Sequence, residues 1–109
     1  MKTKLFQTGI IIFLLTLIAA CGGMDEQKAN FYEKGRVLFE EGEFGRATIE
    51  FKNAIQIDPK FAKAYYMLSK IALKEKNYRG AFSLMNKALE LDPEDTDIQL
   101  ASAEGMFMT

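Results

Sequence analysis

The residue types that carry most protein chemistry are scarce in this chain. It has no histidine, so the usual general base near neutral pH and the commonest metal ligand are both missing. Cys21 is its one thiol, and a lone cysteine cannot close a disulfide within one chain. Acids gather in two places. Asp92, Glu94, Asp95 and Asp97 have the density of a calcium loop but lack its mid-loop glycine and terminal glutamate. At the start of a helical segment they instead suit the helix dipole. Glu40, Glu41 and Glu43 could mimic a paired acid and base, and more simply solvate a turn. There is no GxGxxG or phosphate loop, and no basic tract for nucleic acid. The chemistry legible here is not catalytic. The expectation is no enzyme, no cofactor, no metal and no nucleic-acid partner.

What remains is Cys21 and the segment before it. Lys2 and Lys4 give a positive start, and Leu5 to Ala20 is mostly apolar. That run is shorter than the roughly 20 residues of a membrane-spanning helix, and its order of charge, apolar middle and small ending is that of a secretory signal. An uncleaved anchor helix is the alternative. The ending Ile18-Ala19-Ala20-Cys21 resembles the lipobox of bacterial lipoproteins. The resemblance implies a signal peptide over 1–20, cleavage after Ala20, a diacylglycerol on the Cys21 thiol and a further acyl chain (palmitate or similar) on the new amine. Two or three chains hold firmly, because burial contributes about 0.8 kcal/mol per methylene and one chain alone is marginal. Gly22 follows, not the Asp that retains enterobacterial lipoproteins at the inner membrane. The expected place is thus the cell envelope, at the periplasmic face of the outer membrane before the inner one. Without Lys2 and Lys4 the chain has 12 basic and 15 acidic residues.

The elements that follow are helical and periodic. Residues 21–28, with Gly22-Gly23 and Asp25-Glu26-Gln27-Lys28, read as the lipidated cysteine and a mobile polar tether. From Ala29 apolar residues recur at spacings of three and four: Phe31, Val37, Leu38 and Phe39, then Phe44, Ala47, Ile49, Phe51, Ala54, Ile55 and Ile57. Glu41-Gly42-Glu43 makes a turn between them. Asp58-Pro59 ends the pair, since proline disfavours helix at the residue before it. A second pair follows with its turn at Lys76-Asn77, includes Tyr78, Ala81, Phe82, Met85 and Ala88, and ends at Asp92-Pro93.

The two Asp-Pro units lie 34 residues apart, and residues 28–61 laid over 62–95 share six identities, among them Tyr32/Tyr66, Ala47/Ala81 and Ala54/Ala88. Gly35 matches Ser69 and Phe51 matches Met85. This pattern resembles the tetratricopeptide repeat. It implies an all-α fold of tandem antiparallel helix hairpins, an α-solenoid. The first repeat spans 29–61, the second 62–95, and 96–109 forms a partial third repeat or capping helix. Gly35, Ser69 and the four alanines would let helices approach closely, with Phe51 and Met85 filling the space between.

In that family the first helix of each pair lines a concave face that binds protein or peptide. The positions this implies here are Tyr32, Arg36, Phe39, Tyr66, Lys70, Leu73 and Lys74. Tyr32 and Tyr66 would form an aromatic ladder, with a basic one at Arg36 and Lys70 suited to a peptide with an acidic or polar side. The stretches Tyr32-Glu33-Lys34-Gly35 and Ala64-Tyr65-Tyr66-Met67-Leu68 resemble the start of the tetratricopeptide lipoproteins that accompany exosortase (PEP-CTERM) systems. That likeness implies an interaction scaffold in envelope export, sorting or exopolysaccharide assembly. The alternative is a pilotin-like lipoprotein that assembles a secretin or pilus system in the outer membrane.

Overall fold

The computed structural model describes residues 23–104, and among them there are five helices and no strand. The expected signal segment, Cys21 and residues 105–109 lie outside the described residues. α1 is helical over residues 23–40, followed by α2 (Phe44–Ile57), α3 (Ala62–Lys74), α4 (Tyr78–Leu91) and α5 (Thr96–Ala103). No helix among the described residues is long and apolar enough to cross a membrane.

The expected mobile tether is different in the structure: Gly23 to Lys28 belong to α1. The physical reason lies in the residues themselves. Met24, Glu26, Gln27 and Lys28 are good helix formers. Lys28 also gains tertiary partners. Its Nζ lies 3.0 Å from Asp58 Oδ2 and 4.9 Å from the Phe61 ring centroid, so it pins α1 to the Asp-Pro linker. The ion pair and a bond from the Lys60 amide hold the Asp58 carboxyl below its usual range. A depressed folded pKa means stability that is present above the unfolded value and lost as pH falls through the folded one. Lys28→Met should therefore cost about 0.5 kcal/mol at neutral pH, as partly exposed pairs do. Its stability should also fall less steeply than wild type below pH ~4. Urea melts at pH 7 and pH 3 would check both, and parallel acid limbs would remove the pair from stability.

Both hairpin turns are built alike. In the first, the Gly42 amide donates to Phe39 O and the Glu43 amide to Leu38 O; in the second, Lys76 donates to Leu73 O and Asn77 to Ala72 O. These are the paired bonds of a Schellman ending. Its C′ residue must be left-handed: Gly42 has φ 80° and Lys76 φ 61°. Glycine adopts this without penalty, whereas a lysine is strained there. Lys76→Gly should stabilise by about 0.5–1 kcal/mol, read as a rise in the urea midpoint. A lower midpoint would mean that the Lys76 side chain contributes more than its backbone costs. After the second turn Asn77 Oδ1 accepts from the Gly80 amide at 3.0 Å and caps α4. The Asp-Pro linkers also repeat one bond with different side chains: Tyr65 Oη donates to Pro59 O at 3.2 Å, and Gln99 Nε2 donates to Pro93 O.

The packing follows the small-against-large alternation. Ala47, Ala54, Ala81 and Ala88 are fully buried, as are Phe51 and Met85. A Cβ added at Gly35 would stand 2.7–2.9 Å from three atoms of the Phe51 ring, so α1 and α2 meet there only because residue 35 has no side chain. In the second hairpin Ser69 at the matching place is fully buried, as is Met85 at the place of Phe51. α3 is the centre of the stack, burying Ala62, Ala64, Met67, Leu68, Ser69, Ile71 and Ala72. One apolar cluster joins Ala47 and Phe51 to Ala64, Leu68 and Ile71; a second joins Ala62, Met85 and Ala88 to Ile98. Not every apolar residue of the periodic runs is interior. Val37, Ile49, Tyr78 and Phe82 are exposed. Ile49, for example, lies two residues from Ala47 and so on the opposite side of a 3.6-residue turn.

Candidate functional site

The odd-numbered helices carry the groove positions. On α3, Tyr66, Lys70 and Leu73 follow one another at spacings of four and three and so share a face. Lys70 Nζ stands 5.2 Å from the centroid of the Phe39 ring and 5.4 Å from that of Tyr66. This joins α1 to α3 by cation–π attraction, worth about 0.5–1 kcal/mol at exposed sites. Phe39 also tilts against Phe44, centroids 5.4 Å apart, which fixes its ring. Phe39, Tyr66 and Lys70 thus form one cluster. Leu73 is half-buried beyond it, and Lys74 is exposed.

Tyr32 and Arg36 are placed differently from a free ladder. The Tyr32 ring packs on Phe51 and Phe61, with centroids 5.7 and 5.2 Å apart, so it spends much of its surface on the core. Burial raises its phenol pKa, partly offset by the Arg36 charge. Arg36 is engaged by its neighbour: its Nη2 and Nε donate to Glu33 at 2.7 and 3.1 Å. That exposed pair lowers the Glu33 pKa and raises that of Arg36. Arg36 therefore presents a neutralised charge, and Lys70 is the cation of the described cluster.

Sequence reasoning missed the third wall. Asp97, Leu100, Ala101 and Glu104 of the α5 segment line a cleft of about 340 Å³ together with Tyr66 and Lys70. Partial burial raises the Tyr66 phenol pKa, and the carboxylates of Asp97, Asp95 and Glu104 raise it further. α5 is held there by Ile98, which is fully buried, and by Asp95, whose Oδ1 accepts from the amides of Asp97 and Ile98 at 3.0 and 3.2 Å. The signal was present: Leu100 and Glu104 stand 34 residues after Tyr66 and Lys70.

A larger cleft of about 660 Å³ lies between α1 and α2, with Asn30, Lys34, Arg46 and Glu50 on its walls. The matching positions one repeat later are Ala64, Leu68, Gly80 and Leu84, and Ala64, Leu68 and Leu84 belong to the core shared by the two hairpins. The first hairpin carries polar or charged residues at the same four places.

Two family models for the tetratricopeptide repeat match the chain, one over residues 29–61 and one over residues 62–95. Together they cover more than half of it. The chain belongs to the tetratricopeptide-repeat family. Its hairpins are therefore members of an all-α solenoid, and repeats of this kind are protein-interaction scaffolds that generally carry no catalysis. Among curated proteins, the tetratricopeptide chain is 30% identical over 89 residues to the "Lipoprotein NlpI homolog" of Haemophilus influenzae, covering 80% of this chain and 28% of that protein. It is 38% identical over 47 residues to the "DnaJ homolog subfamily C member 7 homolog" of Dictyostelium discoideum, covering 43% of this chain and 9% of that protein. The chain thus spans less than a third of the length of either relative.

Proposed function

We propose that this chain is a lipid-anchored tetratricopeptide scaffold of the cell envelope that captures a segment of a protein partner on its concave face. The observation that carries this reading is the cleft between α3 and α5. There Tyr66, Lys70 and Leu100 offer apolar and charged surface side by side on a rigid frame. Support for the anchor comes from the lipobox-like ending at Cys21 and from the printed name of the Haemophilus relative, a lipoprotein. The residue after the cysteine, Gly22, favours the periplasmic face of the outer membrane. The setting we favour is export, sorting or exopolysaccharide assembly.

The reach of the anchor follows from covalent geometry. One residue, Gly22, separates Cys21 from Gly23, so their Cα atoms lie at most about 7 Å apart. Along α1, Tyr32 lies about 14 Å further on. The α1 end of the groove is thus held within roughly 20 Å of the acyl chains, which suits a membrane-proximal partner.

The test is affinity capture from envelope membranes with the full chain. Changing Tyr66→Ala should weaken capture about tenfold or more, since aromatic anchors carry much of an interface's energy, while circular dichroism stays helical. Unchanged capture would remove the groove from the function. Palmitate labelling should vanish in Cys21→Ser, and labelling that persists would remove the anchor.

A further inference from the structure

The repeat register changes sign where it enters α5. Arg36, Lys70 and Glu104 occupy one position at intervals of 34 residues, and Lys63 is matched by Asp97. Asp97, Leu100, Ala101 and Glu104 fall at helical spacings of three and four, which makes them a single stripe. Leu100 is 58% exposed, which leaves an apolar floor between two carboxylates. Among the described residues no ion pair engages Asp97 or Glu104. The opposing cation, Lys70, is drawn over the rings of Phe39 and Tyr66. Arg36 is bound to Glu33.

We propose that the α3–α5 cleft binds a basic–apolar segment of a protein partner, with an apolar side chain on Leu100, Ala101 and Tyr66 and flanking Lys or Arg side chains on Asp97 and Glu104. This rests on the concave face being a protein-binding groove and adds the class of segment it selects. It reverses the expectation drawn from Arg36 and Lys70, because an acidic segment would meet two carboxylates at the mouth of the cleft. Opposed charge of this kind sets specificity and on-rate more than raw affinity, so discrimination between peptides is the quantity to measure.

Three labelled peptides suffice as probes: one leucine-centred sequence flanked by lysines, the same flanked by glutamates, and the same flanked by glutamines. Their binding to the full chain in detergent is followed by fluorescence anisotropy. At low salt the lysine peptide should bind about tenfold more tightly than the glutamate peptide, with the glutamine peptide between them. Salt should shrink the difference, because these are exposed charges. Glu104→Lys should remove or reverse the preference. A cation at that place suits the end of α5, so the helix is retained, and Asp97→Lys is the second variant. Equal binding of all three peptides, or tighter binding of the glutamate peptide, overturns the proposal and leaves the groove standing. No saturable binding of any peptide also overturns it, and the Tyr66→Ala capture experiment then shows whether the groove fails with it.

Discussion

Gly35→Ser is expected to destabilise the domain by about 2 kcal/mol, and a second change, Phe51→Met, to recover most of that loss. A side chain at residue 35 gains helix propensity, worth about 0.5–1 kcal/mol. It also places a Cβ 2.7–2.9 Å from ring atoms of Phe51, which is fully buried and cannot swing aside. Overpacking of this kind costs about 1–3 kcal/mol and outweighs the propensity gain. The rescue is suggested one repeat later, where Ser69 and Met85 occupy the same two positions, both fully buried. Methionine is unbranched and bends around an added group. A double-mutant cycle by urea unfolding should give a coupling above about 1 kcal/mol. Additive losses would show that the two hairpins are not packed in the same register.

The other large effect lies at Ile98. Ile98→Ala should cost about 2–4 kcal/mol of α5 docking, as deletions of buried aliphatic groups do. α5 has 8 residues, too few to be helical unaided. Its helix exists because Ile98 sits among Ala62, Met85 and Ala88 and because Asp95 caps its first turn. The variant should therefore lose hydrogen-exchange protection over residues 96–103 while α1–α4 keep theirs, and the cleft should lose its α5 wall. Protected amides in α5 would mean that its docking does not depend on Ile98. Simultaneous loss throughout would mean that α5 is part of one cooperative unit with α1–α4.

The sequence shows the hairpins plainly because their requirements are local. Asp58-Pro59 and Asp92-Pro93 mark ends through backbone sterics, and the alanines at 47, 54, 81 and 88 mark contacts through size. The groove was legible as a set of positions but not as a surface. Tyr32 turns its ring into the core against Phe51 and Phe61, and Arg36 is taken by Glu33. The first outcome is not encoded in spacing, whereas the second is an i,i+3 pair open to a reader of the helix. The acid wall needed the register to be carried one repeat further than the two obvious units. The helical state of residues 23–28 was hidden for a different reason. Gly23 to Lys28 are mostly polar, and polarity alone does not separate a solvated helix from a tether. What holds Lys28 is Asp58, 30 residues away, a contact that no local pattern announces.

The claim that a partner is captured on the concave face is tested most directly by site-specific photo-crosslinking in living cells. A photoreactive residue would replace Leu73 in one variant of the full chain and Ile49, exposed on α2 away from the groove, in another. We expect a discrete protein adduct from the Leu73 variant and none from the Ile49 variant. An adduct formed from Ile49 but not from Leu73 would contradict the groove.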